Sequence, residues 1–254
     1  MIKGQIRVMT YNLEAHYILW NGRPINGRAE GVKRLILSLS PDVLCLQEAE
    51  LKWRHVLEKL PHYRPVDTLK NWQFTYMTTM LYNTRTMTLI KSGSIAYKHG
   101  WLKTNRRICY GVFKIKRTKE VICVISTHLT PLNKKHVEAC LKTMTHQVEQ
   151  LKATVTDLSH RYRCPVIIGG DFNSHNKAVN KKKEPLKSYQ IYCLLKNCFT
   201  DAKQSSKGST LDHIFYHGNI IIDDYQRLNQ FKELSDHDPL YIDCHLKNTE
   251  KTND

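Results

Sequence analysis

The 254-residue chain contains no run of about 18 consecutive apolar residues, so it cannot supply a transmembrane helix. Its first residues, MIKGQIRVMTYN, lack the apolar core of a secretory signal, so the expectation is an intracellular protein, cytoplasmic or nuclear, the alternative being a leader already removed. Eight cysteines are present, yet no two form a C-x-x-C pair, and their spacing does not suit a structural zinc site. Cys45 and Cys123 lie inside apolar runs, so free thiols in a reducing compartment are expected. No repeat and no linker divides the chain. Residues 1–254 are therefore expected to form one domain with a polar tail from about 247.

Acid is also scarce. Between Thr68 and Lys119 there is no Asp or Glu, whereas Lys70, Arg85, Lys91, Lys98, Lys103, Arg106, Arg107, Lys114, Lys116, Arg117 and Lys119 are all cationic. Over the whole chain the formal net charge is +16. Such an excess suits a polyanionic partner: nucleic acid first, an anionic lipid surface second. A monomer is expected.

What is present is a series of short apolar runs interleaved with helical patterns. IRVMTYN, DVLCLQE, FTYMTTMLYN, TLIKSGSIAYK, ICYGVFKIKR, VICVISTHL, PVIIGGD, TLDHIFYHG and HDPLYIDCHL read as strands. Helical spacing of apolar residues predicts helices over 29–39, over 134–162 and near 189–196. Strands that come in runs, interrupted by helices rather than alternating with them, favour mixed sheets whose outer faces are covered by helices.

Many of these runs end in the same kind of residue. RVMTYN leads to Asn12, VLCLQE to Glu48, VISTH to His128, and VIIGGDFN to Asp171 and Asn173. Asp212 opens a later strand, and Asp236 and His237 stand just before the last one. One carboxylate after a strand is ordinarily a turn or cap residue. Six such sites, all of types suited to metal or proton work, point instead to a shared centre. Glu48, Asp236 and the Asn12 amide oxygen suit a hard cation, Mg²⁺ or alternatively Mn²⁺. His128 and His237 can move protons near neutral pH, and Asp212 is a candidate to fix the tautomer of one of them. Asp171 and Asn173, alternating along an extended segment, would point the same way. No Ser or Cys occupies a recognisable nucleophile elbow, so attack by water on a phosphate ester is the simpler chemistry.

In their order and spacing, TYN, LQE, STHL, GGDFN, LDHIF and SDHDPL resemble the endonuclease/exonuclease/phosphatase superfamily typified by deoxyribonuclease I, from about Ile6 to Leu246. The resemblance implies an α+β fold, a four-layer α/β/β/α sandwich of two mixed sheets with helices outside. It implies Glu48 as principal Mg²⁺ ligand with Asn12 and Asp236 near the metal, and His237 as general base oriented by Asp212. Asp171 and Asn173 would position the attacking water, and His128 would stabilise the phosphoryl oxygen or protonate the leaving group. Gly169 and Gly170 would let backbone and substrate approach closely. Arg106 and Arg107 are candidates to bind phosphate, and Trp20 and Arg23 to touch substrate. The expected function is a metal-dependent phosphodiesterase acting on nucleic acid. The alternative is a phospholipid or inositol-phosphate hydrolase of the same superfamily. Two departures stand out: no acid in FTYMTTMLYN is available to pair with His128, and His213 replaces a tyrosine common in that motif.

Overall fold

The computed structural model describes residues 4–15, 24–66, 78–99, 106–203 and 210–247. In chain order its elements begin with β1 (Ile6–Asn12), α1 (Ala29–Leu39), β2 (Val43–Gln47), α2 (Leu51–Leu57), β3 (Tyr63–Pro65), β4 (Thr78–Asn83), β5 (Met87–Ala96) and β6 (Arg107–Ile115). They continue with β7 (Val121–His128), α3 (Val137–Tyr162), β8 (Val166–Asp171), α4 (Tyr189–Cys198), β9 (Thr200–Asp201), β10 (Asp212–His217), β11 (Ile220–Arg227) and β12 (Leu240–Leu246). One sheet has the order β11-β12-β1-β2-β4-β3 and the other β5-β6-β7-β8-β10-β9. Each is mixed: β1–β2 is the parallel pair of the first and β7–β8 that of the second. A parallel pair needs a crossover connection. Here α1 supplies one and α3 the other.

Period-two alternation along the strands builds three apolar layers. Ile6, Val8, Cys45 and Met80 of the first sheet meet Cys109, Phe113, Val124, Ile167 and Ile214 of the second. On the outer face of the first sheet, Met9, Tyr11, Leu44 and Leu46 pack against Val32, Ile36, Trp53 and Leu57 of α1 and α2. Beyond the second, Cys123, Ile125, Val166 and Ile168 pack against Leu141, Met144, Val148 and Leu151 of α3 and Leu195 of α4. Burying each such side chain contributes about 1.5–3 kcal/mol relative to exposure. The result is the expected sandwich of two mixed sheets with helices outside. All eight cysteines are free thiols, as expected.

Every predicted helix forms, and every predicted strand forms where it is described; Phe74–Met77 and the loop residues Trp20 and Arg23 lie outside the described residues. Four elements were not foreseen: α2, β3, β9 and β11. β3 and β9 are too short to carry a pattern, and α2 has less than two turns. At the sheet edge, β11 carries two acids, and its register shifts between Ile222 and Asp224.

The two glycines of β8 serve packing rather than substrate approach. A Cβ on Gly169 would stand 3.1 Å from Thr10 Cβ and 3.3 Å from Cys45 Cβ in the facing sheet. One on Gly170 would stand 2.2 Å from the Thr127 carbonyl oxygen on the neighbouring strand. The first glycine thus lets the sheets close up, and the second lets β7 and β8 pair. Gly170→Ala meets backbone that cannot yield, so it is expected to destabilise the fold by about 3 kcal/mol or more. Urea unfolding of the variant measures this, and a midpoint equal to that of the parent contradicts it.

Candidate active site at the open end of the inter-sheet layer

Counting by twos from the inter-sheet core leads directly to the polar residues. On β1 the inward series Ile6, Val8, Thr10 ends at Asn12; on β7, Ile122, Val124, Ser126 ends at His128. On β8, Ile167 and Gly169 lead to Asp171, and on β10 Ile214 leads back to Asp212. His128, Asp171 and Asp212 are paired across three adjacent strands. The C-terminal ends of the two parallel pairs therefore converge at one end of the sandwich, as strand ends in α/β sheets commonly do at ligand sites. Beneath them lies a buried polar layer. Thr10 Oγ1 donates to Gln47 Oε1 (3.3 Å), and Gln47 Nε2 donates to Ser126 Oγ (3.2 Å). This layer joins the two sheets and separates the apolar core from the site.

Asp171 is the hub. Its Oδ2 accepts Asn12 Nδ2 at 3.1 Å and lies 3.1 Å from His128 Nε2 and 3.9 Å from His237 Nε2. Its Oδ1 accepts the backbone N–H of Asn173 at 2.8 Å. Burial alone would raise this carboxyl, but the two imidazoles outweigh it and hold Asp171 below the usual carboxylate range. His237 Nδ1 is 2.7 Å from Asp212 Oδ2. Burial works against protonated His237, yet Asp212, Asp171 and Asp236 together raise it to about 10. His128 is buried and shifted down by desolvation and then by the Arg106 charge, with Asp171 opposing. It presents its Nε2 to Asp171. The acid that His128 meets is Asp171, at Nε2, and among the described residues His128 Nδ1 has no hydrogen-bond partner.

The site's other half belongs to the first sheet. Glu48, at φ 54°, accepts Asn12 Nδ2 on Oε1 (3.3 Å) and the Ala15 N–H on Oε2 (2.9 Å). Partial burial raises the Asp236 carboxyl, His237 opposes it, and Glu14 and Glu48 push it further up. Glu48 and Asp236 offer only carboxylate oxygen, donors suited to a hard divalent cation. Asp171, Asp212 and His237 also bring ligand atoms within 4.8 Å of one another. There, however, the closeness comes from hydrogen bonds that these groups already make with each other and with Asn12.

Several expectations need adjusting. The Asn12 amide oxygen accepts the Glu14 N–H (3.0 Å), so Asn12 turns its nitrogen, not its oxygen, toward the carboxylates. Asn173 is at φ 49° rather than extended, and its Nδ2 donates to the Leu129 carbonyl (2.9 Å). Arg107 is tied to the edge strand, with Nε donating to Ser94 Oγ at 2.6 Å, whereas Arg106 stands near His128. Much of the acid-poor stretch lies at the opposite end of the sandwich. β6 runs away from the site, so Lys114, Lys116, Arg117 and Lys119 lie beyond reach of it. Glu14, Arg28, Gln47 and Ser235 were missed. Ser235 Oγ donates to the Asn12 carbonyl (2.7 Å) and accepts the His237 N–H (3.1 Å), tethering the base to β1.

The inter-sheet layer of a two-sheet sandwich thus ends in a carboxylate–imidazole cluster, with Glu48 and Asp236 beside it, an inventory suited to phosphoester hydrolysis. Residues 9–237 match the Endonuclease/Exonuclease/phosphatase family, and the chain belongs to that family. No curated protein matches it in sequence. Among solved structures, the human Nocturnin catalytic domain with bound sulfate anion superposes with TM-score 0.73 at 21% identity, covering 96% of this chain and 95% of that one. The mannosyl-6-phosphatase of Bacteroides thetaiotaomicron does so with TM-score 0.68 at 18% identity, covering 94% and 99%. D. rerio TDP2 complexed with single strand DNA product gives 0.66 at 12% identity, covering 95% and 99%.

His213, where the motif commonly has tyrosine, is a buried support beneath the site. Its Nε2 is 2.8 Å from the Ser174 carbonyl, and Phe172, Tyr192 and Phe215 surround the ring. Desolvation lowers it to about 4. The unfolded chain therefore takes up this proton first as pH falls. The stabilisation is fully present above about pH 6.5 and is lost between about 6.5 and 4, amounting to about 3 kcal/mol. His213→Tyr should flatten the acid limb of a Tm-against-pH curve. A variant curve parallel to that of the parent contradicts the assignment.

Proposed function

We infer that the chain is a metal-dependent phosphodiesterase that hydrolyses nucleic acid by in-line attack of water. Hydrolysis of phosphoester bonds follows from the family. The nucleic-acid reading rests on the charge around the site. Loops at the site end of the second sheet carry Lys98, Arg106, Lys134, Lys135, Lys177, Lys181, Lys182, Lys183, Lys187 and Lys203, against a single acid, Glu184, among their described residues. Opposite them, the loops of the first sheet carry Glu14, Glu48, Glu50, Glu233 and Asp236 beside Arg28 and Lys232, while Asp238 is paired with Arg227 and Lys232. One wall thus suits a cation and the other a row of phosphates.

In this reading Asp212 holds His237 by Nδ1, leaving Nε2 to take a proton from the attacking water. Asp171 and Asn12 fix where that water stands. Arg106 and the basic loops hold the phosphates on either side, and His128 keeps Asp171 oriented. A divalent cation held by Glu48 and Asp236 would polarise a phosphoryl oxygen and draw His237 back toward its neutral form. A phosphatase or lipid-headgroup hydrolase would use the same centre, and the likeness in fold to a mannosyl-6-phosphatase makes it the second reading. No helix among the described residues is long and apolar enough to cross a membrane.

The test is a panel of duplex DNA, single-stranded DNA, RNA, a phosphoinositide, sphingomyelin and a sugar phosphate, each with Mg²⁺ and with EDTA. Turnover of a polynucleotide that EDTA abolishes and that weakens steeply with salt is expected. Asp171→Ala and His237→Ala should each lower it by about 10²–10⁴-fold while remaining folded. Turnover confined to the lipid or sugar phosphate overturns the nucleic-acid reading.

A further inference from the structure

A buried cation stands where none is expected. Arg28 is the residue at the N-terminus of α1, a position whose dipole favours acids, and no side chain caps the helix there. Its side chain is 5% exposed. The guanidinium nevertheless finds acceptors in three separate segments. Nη1 donates to the Leu13 carbonyl (2.9 Å) and to the Leu234 carbonyl (2.8 Å), and Nη2 donates to the Glu14 carbonyl (2.8 Å). Nε reaches the Pro24 carbonyl at 3.4 Å, and Nη1 lies 3.6 Å from the Glu14 carboxylate. The buried Trp53 ring lies 5.2 Å from the guanidinium carbon.

The segments it joins carry the site. Leu13 and Glu14 follow Asn12 directly, and the adjoining Ala15 N–H holds Glu48 Oε2. Leu234 precedes Ser235, Asp236 and His237. Glu14 Oε2 in turn accepts the Asp236 N–H at 3.1 Å, a second link between the same two loops. The loop after β1 and the loop before β12 are more than 200 residues apart in the chain, and Arg28 and Glu14 bond them to each other. A lysine has no planar fork to serve three carbonyls at once.

We propose that Arg28, acting with Glu14, is a positioning residue for the hydrolytic centre: it fixes the loop after β1 against the loop before β12, so that Glu48, Asp236 and His237 act as one site. It touches neither substrate nor cation. The proposal rests on the reading of the centre as metal-dependent.

Arg28→Lys, Arg28→Ala and Glu14→Ala test it in the full chain. Folding is followed by circular dichroism, and Mg²⁺ binding by the thermal upshift it causes without substrate. Turnover is read on whichever phosphodiester the parent hydrolyses. Folded Arg28→Lys should need about 10-fold more Mg²⁺ for half the upshift and lose about 10-fold in kcat with KM nearly unchanged. Guanidinium ion should partly restore Arg28→Ala. A purely structural staple would lower Tm and leave the Mg²⁺ midpoint and kcat of the folded variant alone, and that result overturns the proposal. If the Arg28 variants do not fold, Glu14→Ala decides by the same midpoint: a shift upholds the proposal and an unchanged value overturns it. A parent without phosphodiesterase activity whose Mg²⁺ midpoint still moves on Arg28→Lys would overturn the functional reading and leave the positioning role standing.

Discussion

The Asp171 carboxylate ties the two sheets together at the one point where their chemistry meets. It is buried, yet it receives Asn12 from the first sheet, His128 from the neighbouring strand and the Asn173 N–H from its own loop. A buried carboxylate left with fewer partners would be costly. Here hydrogen bonds and the nearby imidazoles offset that cost and keep it ionised. The arrangement that makes the charge tolerable also fixes Asn12, His128 and His237 around one small space. Stability and preorganisation are in this respect the same constraint.

The fold delivers that constraint twice over. Each sheet contains one strand–helix–strand crossover, β1-α1-β2 and β7-α3-β8, and both pairs of strands end at the same side of the sandwich. One pair brings Asn12 and, just past β2, Glu48; the other brings His128 and Asp171. Since the sheets pack face to face, four residues far apart in the chain meet without any long loop having to carry them. The Thr10–Gln47–Ser126 layer grades the interior from apolar to ionic beneath them. The remaining partners, Asp212 and His237, come from antiparallel strands and their loops, and Ser235, Glu14 and Arg28 bond the loop that carries His237.

Much of this was legible because strand periodicity is simple. An apolar alternation that ends on Asn, Glu, His or Asp announces both the strand and the direction of its last side chain. Asn12, His128, Asp171 and Asp212 could be read that way, and the outer helices likewise from their spacing. Gln47 could not: inside LCLQE a polar residue looks like the end of a strand, not a buried bridge to another sheet. Arg28 was equally silent, since its acceptors are backbone carbonyls that leave no trace in sequence. The one hint was an arginine where a helix would ordinarily have a Ser, Thr or Asp cap. Asn173 was misjudged because a left-handed residue after Phe172 breaks the alternation that the strand itself obeyed. The long run without acids also misled. It is continuous in sequence, but the strands carry its members to both ends of the molecule.

The central claim is that Glu48 and Asp236, and not Asp171, Asp212 and His237, would hold the divalent cation, in a centre whose Asp212–His237 and Asp171–Asn12 contacts are already formed. Anomalous scattering from crystals soaked in Mn²⁺ tests it most directly. The account predicts a peak beside Glu48 and Asp236, with His237 still bonded to Asp212. A peak inside the Asp171, Asp212 and His237 cluster, with that bond broken, would contradict it.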